Sequence, residues 1–169
     1  MKNIELKVKV DDFRNIERSL REMGAKFCGN LHQRDIYYNS PKGRLKIREI
    51  NNNTFELIYY QRPDKLKFKL SSYFIIPLTK IQLKQLKNIL KSMLDIKVIV
   101  VKSRRLWLFN NTRIHLDKVD KLGKFLELET VLKKMSKSKG EKEYLKIFNL
   151  LELGQFEMME KSYSDLLLM

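Results

Sequence analysis

The chain has 169 residues, with 35 Lys and Arg against 20 Asp and Glu, a net charge of +15 with both histidines neutral. Its 43% hydrophobic and 10% aromatic content, with only six Gly and three Pro, belongs to one folded unit rather than to a disordered basic tail. No apolar run approaches the ~20 residues that a bilayer crossing needs, and Cys28, the only cysteine, excludes an intrachain disulfide and a thiolate zinc site.

Met1 to Glu5 lacks the apolar stretch of a signal peptide, so a cytoplasmic protein with no membrane partner is expected. His32 and His115 are too few for a His-rich metal site, which leaves carboxylates as ligands. The basic excess calls for a polyanionic partner.

Residues 4–10 alternate Ile4, Leu6, Val8 and Val10 with Glu5, Lys7 and Lys9, the period of a strand. Asp11 and Asp12 stand where they can cap a helix whose apolar positions are Phe13, Ile16, Leu20 and Met23, with Gly24 as its stop. Strands are predicted over 33–38, 44–50, 54–62 and 65–71; the short connections 39–43, 51–53 and 63–64 make them antiparallel neighbours. After Pro77, Thr79 caps a predicted helix to 94 with Leu83, Leu86, Leu90 and Met93 on one side. Strands follow at 96–109, 112–119 and 124–131. Residues 133–142, with five Lys and one Glu, read as a mobile loop, 141–153 as a helix ending at Gly154, and 163–168 as a short docked helix.

Several strands are apolar on one face and charged on the other. Leu45 and Ile47 oppose Arg44, Lys46 and Arg48; Leu66, Phe68 and Leu70 oppose Lys65, Lys67 and Lys69; Ile114 and Leu116 oppose Arg113, His115 and Asp117. An open sheet covered on its apolar side satisfies this pattern with the charges in water. Eight strands also suffice to close a barrel with the charges inside and the helices outside. Glu127 and Glu129, two apart on one strand, share a face, as do Glu5 and Lys7. Such carboxylates form salt bridges or hold Mg²⁺ or Mn²⁺, hard cations that bridge to phosphate. A nucleic-acid-binding protein, with Tyr37, Tyr38, Tyr59, Tyr60 and Trp107 as stacking platforms, is the alternative from another class.

Asn3-Ile4-Glu5-Leu6-Lys7, Gln33-x-Asp35-x-Tyr37-Tyr38, Gly43-Arg44-Leu45-Lys46-Ile47-Arg48-Glu49, Lys102-x-Arg104, Asp117-x-Val119-x-x-Leu122-Gly123-x-Phe125-Leu126-Glu127-Leu128-Glu129 and Ser162-Tyr163-Ser164-Asp165-Leu166-Leu167 resemble, in order, the motifs of the CYTH family, the triphosphate tunnel metalloenzymes. The similarity is strongest to the branch of class IV adenylate cyclases. Asn3 stands where the family's first Glu is expected, and Gln61 where a fourth-strand Lys is common.

The resemblance implies an α+β fold, an eight-stranded antiparallel β-barrel covered by helices, in one domain over 1–169, with the segment 141–169 packing on the barrel. It implies action on ATP, thiamine triphosphate or inorganic tripolyphosphate with Mg²⁺ or Mn²⁺, by cyclisation or by hydrolysis; a catalytically weak triphosphate-binding module is the alternative within the family. The implied metal ligands are Glu5, Asp117, Glu127 and Glu129. The implied phosphate-binding residues are Lys7, Lys9, Lys46, Arg48, Arg62, Lys67, Lys102, Arg104 and Arg113, of which Lys7, Lys46 and Arg48 are the catalytic candidates. A homodimer stays open.

Overall fold

A computed structural model of the chain describes residues 2–61, 69–133 and 135–169. The alternating segments form eight strands: β1 (Lys2–Val10), β2 (Lys26–Tyr38), β3 (Arg44–Ile50), β4 (Thr54–Gln61), β5 (Lys69–Leu78), β6 (Ile96–Phe109), β7 (Thr112–Val119) and β8 (Gly123–Val131). They close in the spatial order β1-β5-β4-β3-β2-β6-β7-β8, every neighbour antiparallel, with β8 returning to β1. The expected antiparallel barrel is therefore the observed one. Because side chains alternate across a strand, β1, β3, β7 and β8 send mainly charged side chains inward and aliphatic ones outward.

The outward set is covered by helices. α1 (Arg14–Glu22) and α3 (Lys137–Leu150) pack over β1, β6, β7 and β8, where Val8, Leu20, Ile114, Leu116, Leu126, Leu128 and Ile147 are fully buried. α2 (Lys80–Leu94) covers Ile36, Tyr38, Ile47 and Phe55 with Leu83. Each such aliphatic side chain contributes about 1.5–3 kcal/mol by leaving water. A third apolar cluster lies inside the barrel at one end, where Tyr37, Ile58, Tyr60, Val100, Val119 and Phe125 meet Tyr163 of the short α4 (Tyr163–Leu166).

The C-terminal segment completes a seam. Among the described residues, β1 pairs with β5 over residues 2–5. Beyond them the Lys9 N–H donates to the Glu157 carbonyl at 3.0 Å, and the Met159 N–H donates to the Lys7 carbonyl at 2.8 Å. The chain then enters α4, capped by Ser162, whose hydroxyl accepts from the Asp165 N–H while the Asp165 side chain accepts from the Ser162 N–H.

Some boundaries differ from those expected. β2 begins at Lys26, and its register with β6 slips between Phe27 and Gly29, a bulge that hides the strand's period. β5 extends to 78, past the expected end at 71, its second half made of Tyr73-Phe74-Ile75-Ile76 with Pro77 tolerated at the penultimate position, while 65–68 of the expected strand lie outside the described residues. The lysine-rich loop is a correction: residues 137–142 are helical. Ser136 caps α3 by accepting from the Lys139 N–H, and Gly140 is buried where an added Cβ would lie 2.3 Å from Leu132 Cδ2. That glycine admits a close helix–barrel approach instead of ending a helix. Glu143 then docks α3 by accepting from the Asn111 N–H at 2.9 Å and the Thr112 hydroxyl at 2.7 Å.

Gly43, before β3, has φ +67°, and a Cβ there would meet the Tyr59 ring and hydroxyl at 2.8–2.9 Å. Gly43→Ala is expected to cost roughly 1–2 kcal/mol from the left-handed backbone alone. It should be read as a lower urea midpoint with an unchanged slope.

Candidate binding cavity

The barrel encloses a cavity of about 510 Å³, within the range of small-molecule sites. Its walls are organised around a unit that occurs twice. On β3, Lys46 and Arg48 face inward two residues apart; Asp35 on β2 lies directly opposite Arg48. Asp35 accepts from Arg48 Nε and Nη2, both at 2.8 Å, and from Lys46 Nζ at 2.6 Å. On β6, Lys102 and Arg104 repeat the spacing, with Asp117 on β7 opposite Arg104. Asp117 accepts from Arg104 Nε and Nη2, both at 2.6 Å, from Lys102 Nζ at 3.0 Å and from the Tyr163 hydroxyl at 3.1 Å. In each unit a buried carboxylate fixes a planar guanidinium through two hydrogen bonds and holds a lysine beside it.

These partners set the protonation states. Burial alone raises a carboxylic acid's pKa, but Arg104 and Lys102 overcome it and hold Asp117 down at about 2. Asp35 lies lower still, its burial outweighed by Arg48 and Lys46. Burial, reinforced by Arg104, brings Lys102 down to about 8. Burial pushes the Tyr37 phenol up to about 12, so it stays neutral while accepting from Lys46 at 3.3 Å.

The wall formed by β1, β7 and β8 carries Glu5, Glu127 and Glu129. Glu127 meets Lys7 Nζ at 3.2 Å and Arg104 Nη2 at 2.8 Å, and Glu129 meets Arg113 at 3.3 Å and the Asn3 amide. Despite burial, Lys7 and its neighbours keep Glu127 well below the usual carboxylate range. His115 faces both, 3.6 Å from Glu127 and 3.8 Å from Glu129, and burial together with Arg104 lowers its pKa, leaving a neutral imidazole at neutral pH. Tyr163 supports Lys7, whose ammonium lies 3.8 Å from the ring centroid.

Of the residues expected from sequence, Glu5, Lys7, Lys46, Arg48, Lys102, Arg104, Arg113, Glu127 and Glu129 line this one cavity. Asp117 does not: it is fully buried behind Lys102 and Arg104, and four donors already occupy its oxygens. Its place is that of a counter-ion that positions the cations. Lys9 is exposed and lies off the cavity, because it sits at the end of β1 opposite Phe125 of the apolar plug. Arg62 and Lys67 lie outside the described residues. Gln61 is exposed, donating to the Tyr59 hydroxyl at 3.2 Å.

Gln33, Asp35, Glu56 and Tyr163 are among the lining residues that were given no role in the site from sequence. Gln33 shares the inward parity of Asp35, and Glu56 stands opposite Arg48; strand pairing carries that signal, and it needs the register. Among the described residues, no three His, Cys, Asp or Glu side chains are gathered into a ready-made metal cluster, since Glu127 and Glu129 lean on cations. No helix among them is long and apolar enough to cross a membrane.

A closed antiparallel barrel with paired Lys-x-Arg units and facing carboxylates inside defines a tunnel-type protein. The CYTH domain model matches residues 1–163, and the chain belongs to that family. It is 27% identical over 176 residues to the Methanocaldococcus jannaschii protein named "Putative adenylate cyclase MJ0240", with 98% of each chain covered. Among solved structures it resembles the PH1012 protein of Pyrococcus horikoshii OT3 (27% identity, TM-score 0.79, 97% and 98% of the two chains covered). It also resembles PH1819 of the same organism (26% identity, TM-score 0.72, 98% of each covered).

Proposed function

We propose that the cavity binds a triphosphate chain together with Mg²⁺ or Mn²⁺ and acts on it, either closing ATP to cyclic AMP or hydrolysing a triphosphate. The observation that carries this reading is the doubled, Asp-anchored Lys-x-Arg unit converging on a cavity that also holds Glu5, Glu127 and Glu129. The described lining carries six Lys and Arg against five Asp and Glu. A fully ionised triphosphate needs more positive charge than that balance supplies. Divalent cations held by the carboxylates would provide it, and the buried Asn3 amide oxygen and His115 Nδ1, neither of them hydrogen-bonded, are further donor atoms beside Glu129 and Glu127. When bound, the metal polarises phosphate oxygens and lowers the pKa of water.

The chain's own part is positioning and charge. Arg48 and Arg104 present fixed forks to phosphate oxygens, while Lys7, Lys46 and Lys102 add point charges and Arg113 marks the rim. Asp35 and Asp117 spare these side chains the reorganisation that would otherwise accompany charge development at phosphorus. In cyclisation the ribose 3′-hydroxyl gives up its proton, its oxygen bonds to the α-phosphorus and pyrophosphate leaves; in hydrolysis water gives up a proton, its oxygen bonds to the terminal phosphorus and the diphosphate leaves, so that phosphate is released. Both use the same cradle. The name of the M. jannaschii relative supports the first, and the resemblance to the wider family supports either.

The test is a panel of ATP, thiamine triphosphate and tripolyphosphate with each metal, assayed for cyclic AMP, phosphate and pyrophosphate. Turnover of one of them supports the reading. Tight binding without any turnover would make the protein a triphosphate-binding module, and Asn3, which donates to Glu129 where the family pattern has a carboxylate, is the feature that favours this outcome. Absence of binding overturns both.

A further inference from the structure

The outer face of the barrel is left open at the corner made by β5 and α2. Phe74 and Ile76 share the outward parity of Leu78, which packs under α2, yet both stand in solvent. Ile75, between them, turns the other way and lines the cavity, so the corner is the back of the cavity's β5 wall. On α2 the stripe Leu83, Leu86, Leu90 and Leu94 packs on the barrel, while Ile81, Ile89 and Met93 are exposed. Phe74, Ile81 and Met93 are 69%, 73% and 73% exposed. Large apolar side chains exposed together mark an interaction surface.

The charge around them has one sign. Residues 73–94 contain Lys80, Lys84, Lys87 and Lys91 and no Asp or Glu. Lys87 meets Glu49 at 2.7 Å, whereas Lys80, Lys84 and Lys91 are exposed and make no ion pair among the described residues. A shallow depression on the outward side of α2 is lined by Lys80, Ile81, Lys84, Gln85 and Asn88, donor side chains around one apolar one. A second copy docked face to face would set these lysines against themselves. A rigid partner would need a hole for each side chain that stands so far out of the surface. An anionic lipid layer complements the lysines and closes around the apolar side chains.

Against the expectation of no membrane partner, we propose that the β5–α2 corner docks on an anionic lipid surface. Phe74, Ile81 and Met93, with Ile76 and Ile89 beside them, enter the boundary between headgroups and acyl chains, and Lys80, Lys84 and Lys91 meet the lipid phosphates. The contact is peripheral, since no helix among the described residues is long and apolar enough to cross a bilayer.

The experiment is sedimentation of the full chain with vesicles of phosphatidylcholine alone and of equal parts phosphatidylcholine and phosphatidylglycerol, at low and at high salt, with circular dichroism melting to establish that each variant is folded. The wild-type chain should bind the anionic vesicles at least about tenfold tighter than the neutral ones, and less tightly at high salt. Lys80→Glu combined with Lys84→Glu should weaken that binding roughly thirtyfold or more. Phe74→Ser and Ile81→Ser should each weaken it roughly tenfold. The control is Lys118→Glu combined with Lys121→Glu, the same change in net charge at the exposed β7–β8 turn, which should keep most of the binding. Equal losses in the two charge-reversed pairs would reduce the effect to the net charge of the chain and overturn the site, as would equal binding to both kinds of vesicle or binding to neither. Light scattering tests the other occupant: a dimer that Phe74→Ser or Met93→Ser splits would assign the corner to a second copy and overturn the lipid surface. None of the substituted residues lines the triphosphate cavity, so ATP binding should be the same in every variant, and the two proposals stand or fall separately.

Discussion

Asp117→Asn is expected to destabilise the folded chain by roughly 3–5 kcal/mol, the cost of breaking a buried ion pair from one side. The carboxylate has no exposed surface and accepts from Arg104, Lys102 and the Tyr163 hydroxyl. An amide keeps one acceptor oxygen and turns an NH₂ group toward donors. Lys102, itself 4% exposed, then loses its anion. Urea unfolding should show a lower midpoint at constant slope; a change below about 1 kcal/mol would mean that the cations do not depend on Asp117. The same pairing fixes the acid response. Asp117's folded pKa lies below its usual 3.8, so its contribution is complete above that value and is lost as pH falls toward about 2. Asp35 and Glu127, also lowered, act in the same sense. Unfolding should therefore become easier between about pH 4 and 2, and Asp117→Asn should flatten that dependence.

Glu129→Gln should leave stability almost untouched while lowering turnover of the preferred triphosphate by roughly a hundredfold, in the range found when a group that holds a catalytic metal is removed. Glu129 stands near the rim, its partner Arg113 is 43% exposed, and such a pair contributes about 0–1 kcal/mol. The variant loses a carboxylate charge without losing volume, so binding of metal-free triphosphate should persist while the response to Mg²⁺ or Mn²⁺ weakens. Calorimetric titration of the metal separates the two. An undiminished metal affinity would remove Glu129 from the ligand set and leave Glu5 and Glu127 to be tested next.

The sequence made the barrel legible because polarity alternates through the middle of β1, β3, β7 and β8, where one charged face per strand leaves few other arrangements. It hid β2's first half, because the bulge at Cys28 resets the period, and it hid the start of α3, because Ser136, Gly140 and a row of lysines read locally as loop. Burial of Gly140 against Leu132 is a tertiary fact with no local signature. At the site, residue type told which side chains bear charge, and the parity of Lys46, Arg48, Lys102 and Arg104 told that they share a face. It did not tell that Asp117 lies behind them. A carboxylate on the strand next to that of Glu127 looks like another ligand until the register sets it directly opposite Arg104.

The placement of β1 also governs when the molecule can exist. Its partners on one side are in β8, Glu5 opposite Glu129, and on the other side its second half is held by residues 157–159. During synthesis, then, β1 waits for partners in β8 and at residues 157–159, far downstream in the chain, with Ile4 and Val8 uncovered meanwhile. Closing contacts of such long sequence separation are slow to form. Lys7, Glu127 and Tyr163 meet across this same seam. A chain stopped before residue 157 would keep both strand partners of β1 but lose the bonds to Lys7 and Lys9 and the Tyr163 ring beside Lys7.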